Sequence, residues 1–196
     1  MRTGHCPTSA AVVTAAAVAL LAAGCGTGQN PTTQAAPSRT AHSSAGSIAT
    51  TEGSHGKKAA IPPELKFTTT TVDGETFEGT SLAGKDAVLW FWAPWCSVCR
   101  SEAPVIAKAA AKWGDTVTFV GVPGQARTAD MEQFITDTGL DGFPHAIDTD
   151  GSLWSGFGVP TQPAVAFVND DGTVKVGLGP VGAAQFDDEI ERLTLT

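Results

Sequence analysis

Basic residues are scarce in this chain. Its 196 residues hold 12 Lys plus Arg against 20 Asp plus Glu, a formal net charge of −8. That is the wrong sign for a surface that tracks phosphates, and it excludes nucleic acid as a partner. The imbalance is concentrated in residues 61–196, where 8 basic side chains face 19 acidic ones. Long apolar runs are lacking as well. The only extended one, Ala/Val/Leu-rich over residues 10–23, falls short of the roughly 20 residues a membrane-spanning helix needs. No internal repeat is present, and a chain of this length has room for one domain with some surplus.

The short run has another use. A basic residue at Arg2, an apolar stretch and small residues at its end form the pattern of a secretory signal peptide over residues 1–24, without the twin Arg of the folded-protein export route. It ends Leu20-Leu21-Ala22-Ala23-Gly24-Cys25, which resembles a bacterial lipoprotein box. Cys25 is therefore expected to be the lipidated new N-terminus, with secretion as the outcome if the box is not used. A diacylglyceryl group anchors more durably than a single acyl chain. Residues 25–60 are rich in Thr, Ser, Ala, Gly, Gln and Pro, too poor in large apolar groups to offset chain entropy, and are expected to be a disordered tether. Residues 61–196 are then the folded domain.

Cysteine is sparse too, at four residues: Cys6, Cys25, Cys96 and Cys99. Cys6 leaves with the signal and Cys25 is consumed by lipid, so one pair remains, Cys96-Ser97-Val98-Cys99. Two thiols this close oxidise readily outside the cytoplasm, but so short a loop removes little entropy from the unfolded chain and makes a poor staple. A structural zinc needs four ligands, and beyond this pair the folded region offers only His145 as a good nitrogen donor. No metal and no cofactor is expected. A redox role is the reading left.

The folded region alternates strand and helix patterns. Residues 66–71 and 75–78 flank Val72-Asp73-Gly74, an N-terminal β-hairpin. Residues 87–92 form a continuous apolar run, the mark of a strand covered on both faces. A helix is expected from about Cys96 to Trp113 with a kink at Pro104. A strand over 116–122 follows, then a helix over 129–138 ended by Gly139, and a helical turn over 152–157. Strands over 164–168 and 173–178 flank Asn169-Asp170-Asp171-Gly172. A closing helix over 183–193 carries Phe186, Ile190 and Leu193 on one stripe. The class is α/β, a central mixed β-sheet flanked by helices on both faces.

The helix start places Cys96 where unpaired N–H groups and the dipole favour an anion, so this sulfur is expected to be the exposed, attacking thiolate. Cys99, one turn further in, is the resolving thiol. Glu102 lies three residues beyond, on the same helix face. As a partly buried carboxylate it would exchange a proton with Cys99; as a surface residue it would only suit the first turns of the helix. Trp95 beside the nucleophile covers the active surface, and Trp90 and Phe91 belong to the core. His145 reads as a satisfied loop or edge residue rather than a catalytic base.

The string Phe91-Trp92-Ala93-Pro94-Trp95-Cys96, continued by Cys99-Arg100-Ser101-Glu102-Ala103-Pro104, resembles the extracytoplasmic TlpA/ResA/DsbE branch of thioredoxin-like proteins. It is similar to the actinobacterial DsbE-like members of that branch, both lipoproteins and secreted proteins. The resemblance implies a thioredoxin-like fold over residues 61–196 and thiol-disulfide oxidoreductase activity through Cys96 and Cys99. It also implies a cis-proline facing the pair. Of Pro160 and Pro163, the spacing to the Asn-Asp-Asp-Gly turn selects Pro163, so Gln162 and Pro163 are expected to contact substrate backbone. Two departures stand out. The buried Asp that thioredoxins carry six residues before the first Cys is Trp90 here, and the Ser97-Val98 dipeptide lacks their proline.

The expected function is disulfide exchange with thiols or disulfides of exported proteins outside the membrane, with a membrane redox partner resetting the pair. The missing Asp and the DsbE-like resemblance favour an oxidant. The alternatives are a reductant serving apocytochrome c or other thiols, and a redox-inactive binding lipoprotein. Peroxide reduction is disfavoured because the Thr-x-x-Cys pattern is missing.

Overall fold

The computed structural model describes residues 60–195. The signal segment, Cys25 and nearly all of the tether lie outside the described residues. Strand β3 (Ala87–Trp92) is buried at every position and occupies the middle of a four-stranded sheet of order β4-β3-β5-β6. An apolar run without polar alternation is what a two-face-covered strand requires. Strand β4 (Thr118–Pro123) pairs with it in parallel, from Ala87↔Thr118 to Trp92↔Pro123. Strand β5 (Ala164–Val168) pairs on the other side antiparallel, with Phe91 opposite Ala164, and β6 (Val174–Leu178) completes the edge. Parallel neighbours need a crossover, and helix α1 (Ser97–Trp113) supplies it between β3 and β4. It continues unbroken through Pro104, which leaves the Arg100 carbonyl without its usual i+4 amide.

The period of two along β3 makes two cores. Val88, Trp90 and Trp92 pack with α1, α2 (Thr128–Thr138) and α4 (Ala183–Leu193); Ala87, Leu89 and Phe91 pack with Leu65, Leu82 and α3 (Ser152–Gly156). Two short 3-10 turns, Pro63–Leu65 and Gly79–Leu82, bury those two leucines. Their sequences carry no apolar period, so the pattern reading did not find them. Gly139 ends α2 as expected, in the left-handed conformation at φ 68°.

The hairpin is shorter than its pattern suggested. Strands β1 (Thr68–Thr70) and β2 (Thr76–Glu78) pair over three residues; the turn closes at Thr71, whose amide donates to the Glu75 carbonyl at 2.8 Å and whose Oγ1 accepts the Glu75 amide at 3.0 Å, while Thr71 also bridges Ala146 and the Val72 amide donates to the His145 carbonyl at 2.8 Å. Residues 145–148 in turn run beside β4 through bridges at Gly121 and Gly124, and so tie the hairpin to the main sheet. Among the described residues no helix is long and apolar enough to cross a membrane.

Candidate active site

Where β3 ends, the chain turns through Pro94 and Trp95, and Cys96 becomes the N-cap of α1. Its Sγ accepts the Cys99 amide at 3.0 Å, so one of the helix's unpaired N–H groups is spent on sulfur. The two cysteines are joined as a disulfide, with Cα atoms 5.2 Å apart. Cys96 is 7% exposed and Cys99 is fully buried. The order of access matches the sequence reading, but Cys96 is less open than expected. The cap conformation turns its side chain back over the first helical turn, where it meets the Cys99 amide, and little sulfur faces solvent.

Trp95 is the exposed member, at 59%. Its indole N–H donates to the Gln125 carbonyl at 3.1 Å, and Gln125 sits in the left-handed region at φ 57°, uncommon for a residue other than glycine. A shallow groove runs beside the indole between Arg100 of α1 and Asp130, Gln133 and Phe134 of α2. The Gln162–Pro163 bond is cis, at the proline the sequence reading chose. Because Ala164 pairs with Phe91, Gln162 and Pro163 lie at the end of the sheet from which Cys96 emerges.

Glu102 is buried, 4% exposed, which rules out the helix-surface alternative. Its Oε2 accepts the Trp90 indole N–H at 2.7 Å and its Oε1 accepts the Val181 amide at 2.5 Å. Burial raises the pKa of this carboxyl above its usual value, and the Val181 and Trp90 donors oppose the rise by favouring the anion. Neither partner was foreseen. Trp90 could have been, because the period of β3 turns it toward α1 and a buried indole N–H needs an acceptor. The Val181 amide has no side-chain signal.

His145 is also buried, and it is not the satisfied residue the sequence suggested. One ring nitrogen, Nε2, lies 2.9 Å from the Leu140 carbonyl, while Nδ1 has no hydrogen-bond partner among the described residues. Burial lowers its pKa to about 4, against the smaller opposing effects of that carbonyl and Asp73, so the ring is neutral at pH 7 and Nε2 carries the proton. Nδ1 rests directly over Gly121, where a Cβ would collide with it. Trp92 meets the imidazole edge to face at 5.6 Å, and its own indole N–H is likewise unpartnered among the described residues.

A cysteine pair bridged at a helix N-terminus can carry thiol exchange, and the similar proteins are of that kind. The family model described as AhpC/TSA family matches residues 59–176. The chain belongs to the AhpC/TSA family. Within this thioredoxin-fold family, the soluble secreted antigen MPT53 of Mycobacterium tuberculosis is 41% identical over 132 residues, 67% of this chain and 75% of that protein. The structure of MTB dsbF in its mixed oxidized and reduced forms superposes with a TM-score of 0.67 at 44% identity, covering 69% of this chain and all of that one. A secreted Mycobacterium tuberculosis disulfide oxidoreductase homologous to E. coli DsbE gives 0.63 at 39% identity, covering 66% and 97%. This AhpC/TSA member is a thiol-disulfide oxidoreductase of the DsbE/ResA type, with the Cys96–Cys99 pair in its thioredoxin-like domain.

Proposed function

We propose that the protein is an extracytoplasmic oxidant, tethered to the membrane through lipidated Cys25, that passes the Cys96–Cys99 disulfide to thiols of exported proteins. The observation that carries this reading is the Cys99 amide aimed at the Cys96 sulfur. A donor at that point stabilises the negative charge left on Cys96 after reduction, and a stabilised reduced form makes the disulfide more oxidising. The export pattern over residues 1–24 and the secreted character of the named mycobacterial relatives support the location.

In the forward reaction a client thiolate attacks Cys96 Sγ, the Cys96–Cys99 bond breaks, and Cys99 leaves as a thiolate that takes a proton from Glu102. A second client thiolate then attacks the client sulfur of the mixed disulfide and releases the Cys96 thiolate. The client loses two electrons, and the cysteine pair gains them. Trp95, Gln162 and Pro163 border the approach to Cys96 and position the client backbone. A membrane redox partner must then withdraw two electrons from the reduced pair, and the Cys99 proton returns to Glu102 as the disulfide closes.

Replacing the resolving cysteine tests the exchange chemistry. Cys99→Ser is expected to accumulate mixed disulfides between Cys96 and exported proteins, visible as reducible adducts of higher mass. Their absence would overturn the proposal.

A further inference from the structure

We propose that Trp90 is a positioning residue for Glu102: its indole N–H favours the ionised form of the buried carboxyl over the neutral one and thereby sets the pH at which Glu102 gives a proton to Cys99 or takes one from it. The inference rests on the reading that Glu102 exchanges a proton with Cys99, one helical turn away.

The geometry is specific. Trp90 reaches from β3, and Val181 reaches from residues 179–182 between β6 and α4; each places one N–H on a different oxygen of the same carboxyl, at 2.7 and 2.5 Å. An ionised carboxylate accepts both bonds. A protonated one keeps acceptor capacity on both oxygens, but the neutral acid accepts N–H bonds more weakly than the anion, so both donors favour the ionised form. Burial pulls the other way, toward the neutral acid, so the charge on Glu102 hangs on the two donors. Burial is the largest cause of the shift, and the Val181 and Trp90 bonds oppose it. On this side β3 brings Val88, Trp90 and Trp92, and residues 179–182 carry no titratable side chain. Asp187 of α4 is held by Lys112 and Trp113. Cys96 and Cys99, once reduced, and His145, whose imidazole meets Trp92 edge to face, are the other titratable groups around Trp90 and Trp92 among the described residues. Trp90 also stacks on Trp92 at 5.8 Å, a contact that holds its indole independently of the carboxyl.

The test follows the two steps by which the reduced protein reacts with 4,4′-dithiodipyridine. The Cys96 thiolate attacks the probe and releases one thiopyridone. The Cys99 thiolate then attacks Cys96 Sγ, closes the disulfide and releases the second. Exchange is reversible, so Glu102 accepts in this direction the proton it donates in the other, and the concentration-independent second phase reports it. Glu102→Gln should flatten the pH dependence of that phase over the range where the carboxyl titrates. Trp90→Phe keeps a ring but removes the donor, and should move the midpoint up by about one pH unit, the effect of losing one charge-assisted hydrogen bond. In the Glu102→Gln background, Trp90→Phe should move nothing further. An unchanged profile in Glu102→Gln would remove the Glu102 reading and this inference with it. A changed profile there with an unmoved one in Trp90→Phe would overturn the role of Trp90 alone. Should Trp90→Phe fail to fold, the unaltered protein still decides. Its Trp90 indole proton resonance must shift with pH at the midpoint of the second phase, and a flat resonance overturns the proposal.

Discussion

On one side of β3, Leu89 and Phe91 meet Leu65, Leu82, Trp154 and Phe157 in a core of hydrocarbon and ring carbon. On the other, Trp90 and Trp92 share their space with two sulfurs, a carboxyl and an imidazole. The polar atoms near the first core are paired: the Trp154 indole donates to the Val122 carbonyl at 3.1 Å, and the Asp148 carboxylate accepts the Gly151, Leu153 and Trp154 amides. The second core keeps two polar nitrogens unpartnered among the described residues, on Trp92 and His145, and a carboxyl whose pKa burial raises against two N–H donors. Alternate residues of one strand thus separate a layer that supplies stability from a layer that supplies chemistry. Buried polar groups are costly unless paired, and the layer that bears them is where function concentrates.

The largest expected effects lie in exchanging damage between the layers. Cys96→Ser should bring disulfide exchange down to background while changing the urea midpoint little, because a bridge between residues only three apart constrains the unfolded chain weakly. Phe91→Ala should do the reverse. It should cost about 3–5 kcal/mol of stability, as truncation of a buried Phe does, and leave the reduction potential of the folded fraction unmoved. A potential that moved with Phe91→Ala would erase the separation of the layers.

The ionisable groups of the chemical layer sharpen the comparison through pH. His145 titrates near 6.5 when unfolded and at about 4 when folded, so between those values the unfolded chain binds the extra proton. Its contribution is complete above about pH 6.5 and is lost as pH falls toward 4, a decline on the order of 3 kcal/mol. Glu102 acts in the opposite sense, because its folded pKa is raised: stability from the neutral acid is present below pH 4.5 and lost as pH rises through the folded pKa. Urea unfolding from pH 4 to 7 should therefore show stability rising with pH, and rising more steeply in Glu102→Gln. Equal slopes would mean that Glu102 is not buried as a carboxyl.

The smallest effect belongs to neither layer. Lys175 pairs with Glu189 at 2.8 Å on the surface, and Lys175→Ala should change stability by less than about 0.5 kcal/mol. A larger loss would place a third source of stability outside both cores.

The plain layer and the backbone of the chemical one were legible in the amino-acid sequence. The uninterrupted run 87–92 announced a buried strand and placed Cys96 at the start of a helix, each a local pattern with one dominant physical cause. Pro163 was selected over Pro160 through the family resemblance, by its spacing to Asn-Asp-Asp-Gly. The hidden part was contact between distant residues. Glu102 meets Val181 across 79 positions, and a backbone amide leaves no mark in the side-chain pattern. His145 is buried because the hairpin and β4 close over it through the bridges at Thr71 and Gly121, a tertiary event in a segment with no period of its own. Trp90 lay between these cases: its face was readable, and its acceptor was not.

The reduction potential of the Cys96–Cys99 pair tests the central claim most directly. The protein is equilibrated in glutathione buffers of graded poise and its free thiols are counted by alkylation. A value in the range of protein disulfide isomerase and DsbA, roughly −180 to −120 mV, is the expected result and makes the disulfide a donor to client thiols. A value near that of thioredoxin, about −270 mV or lower, would contradict it and make the protein a reductant.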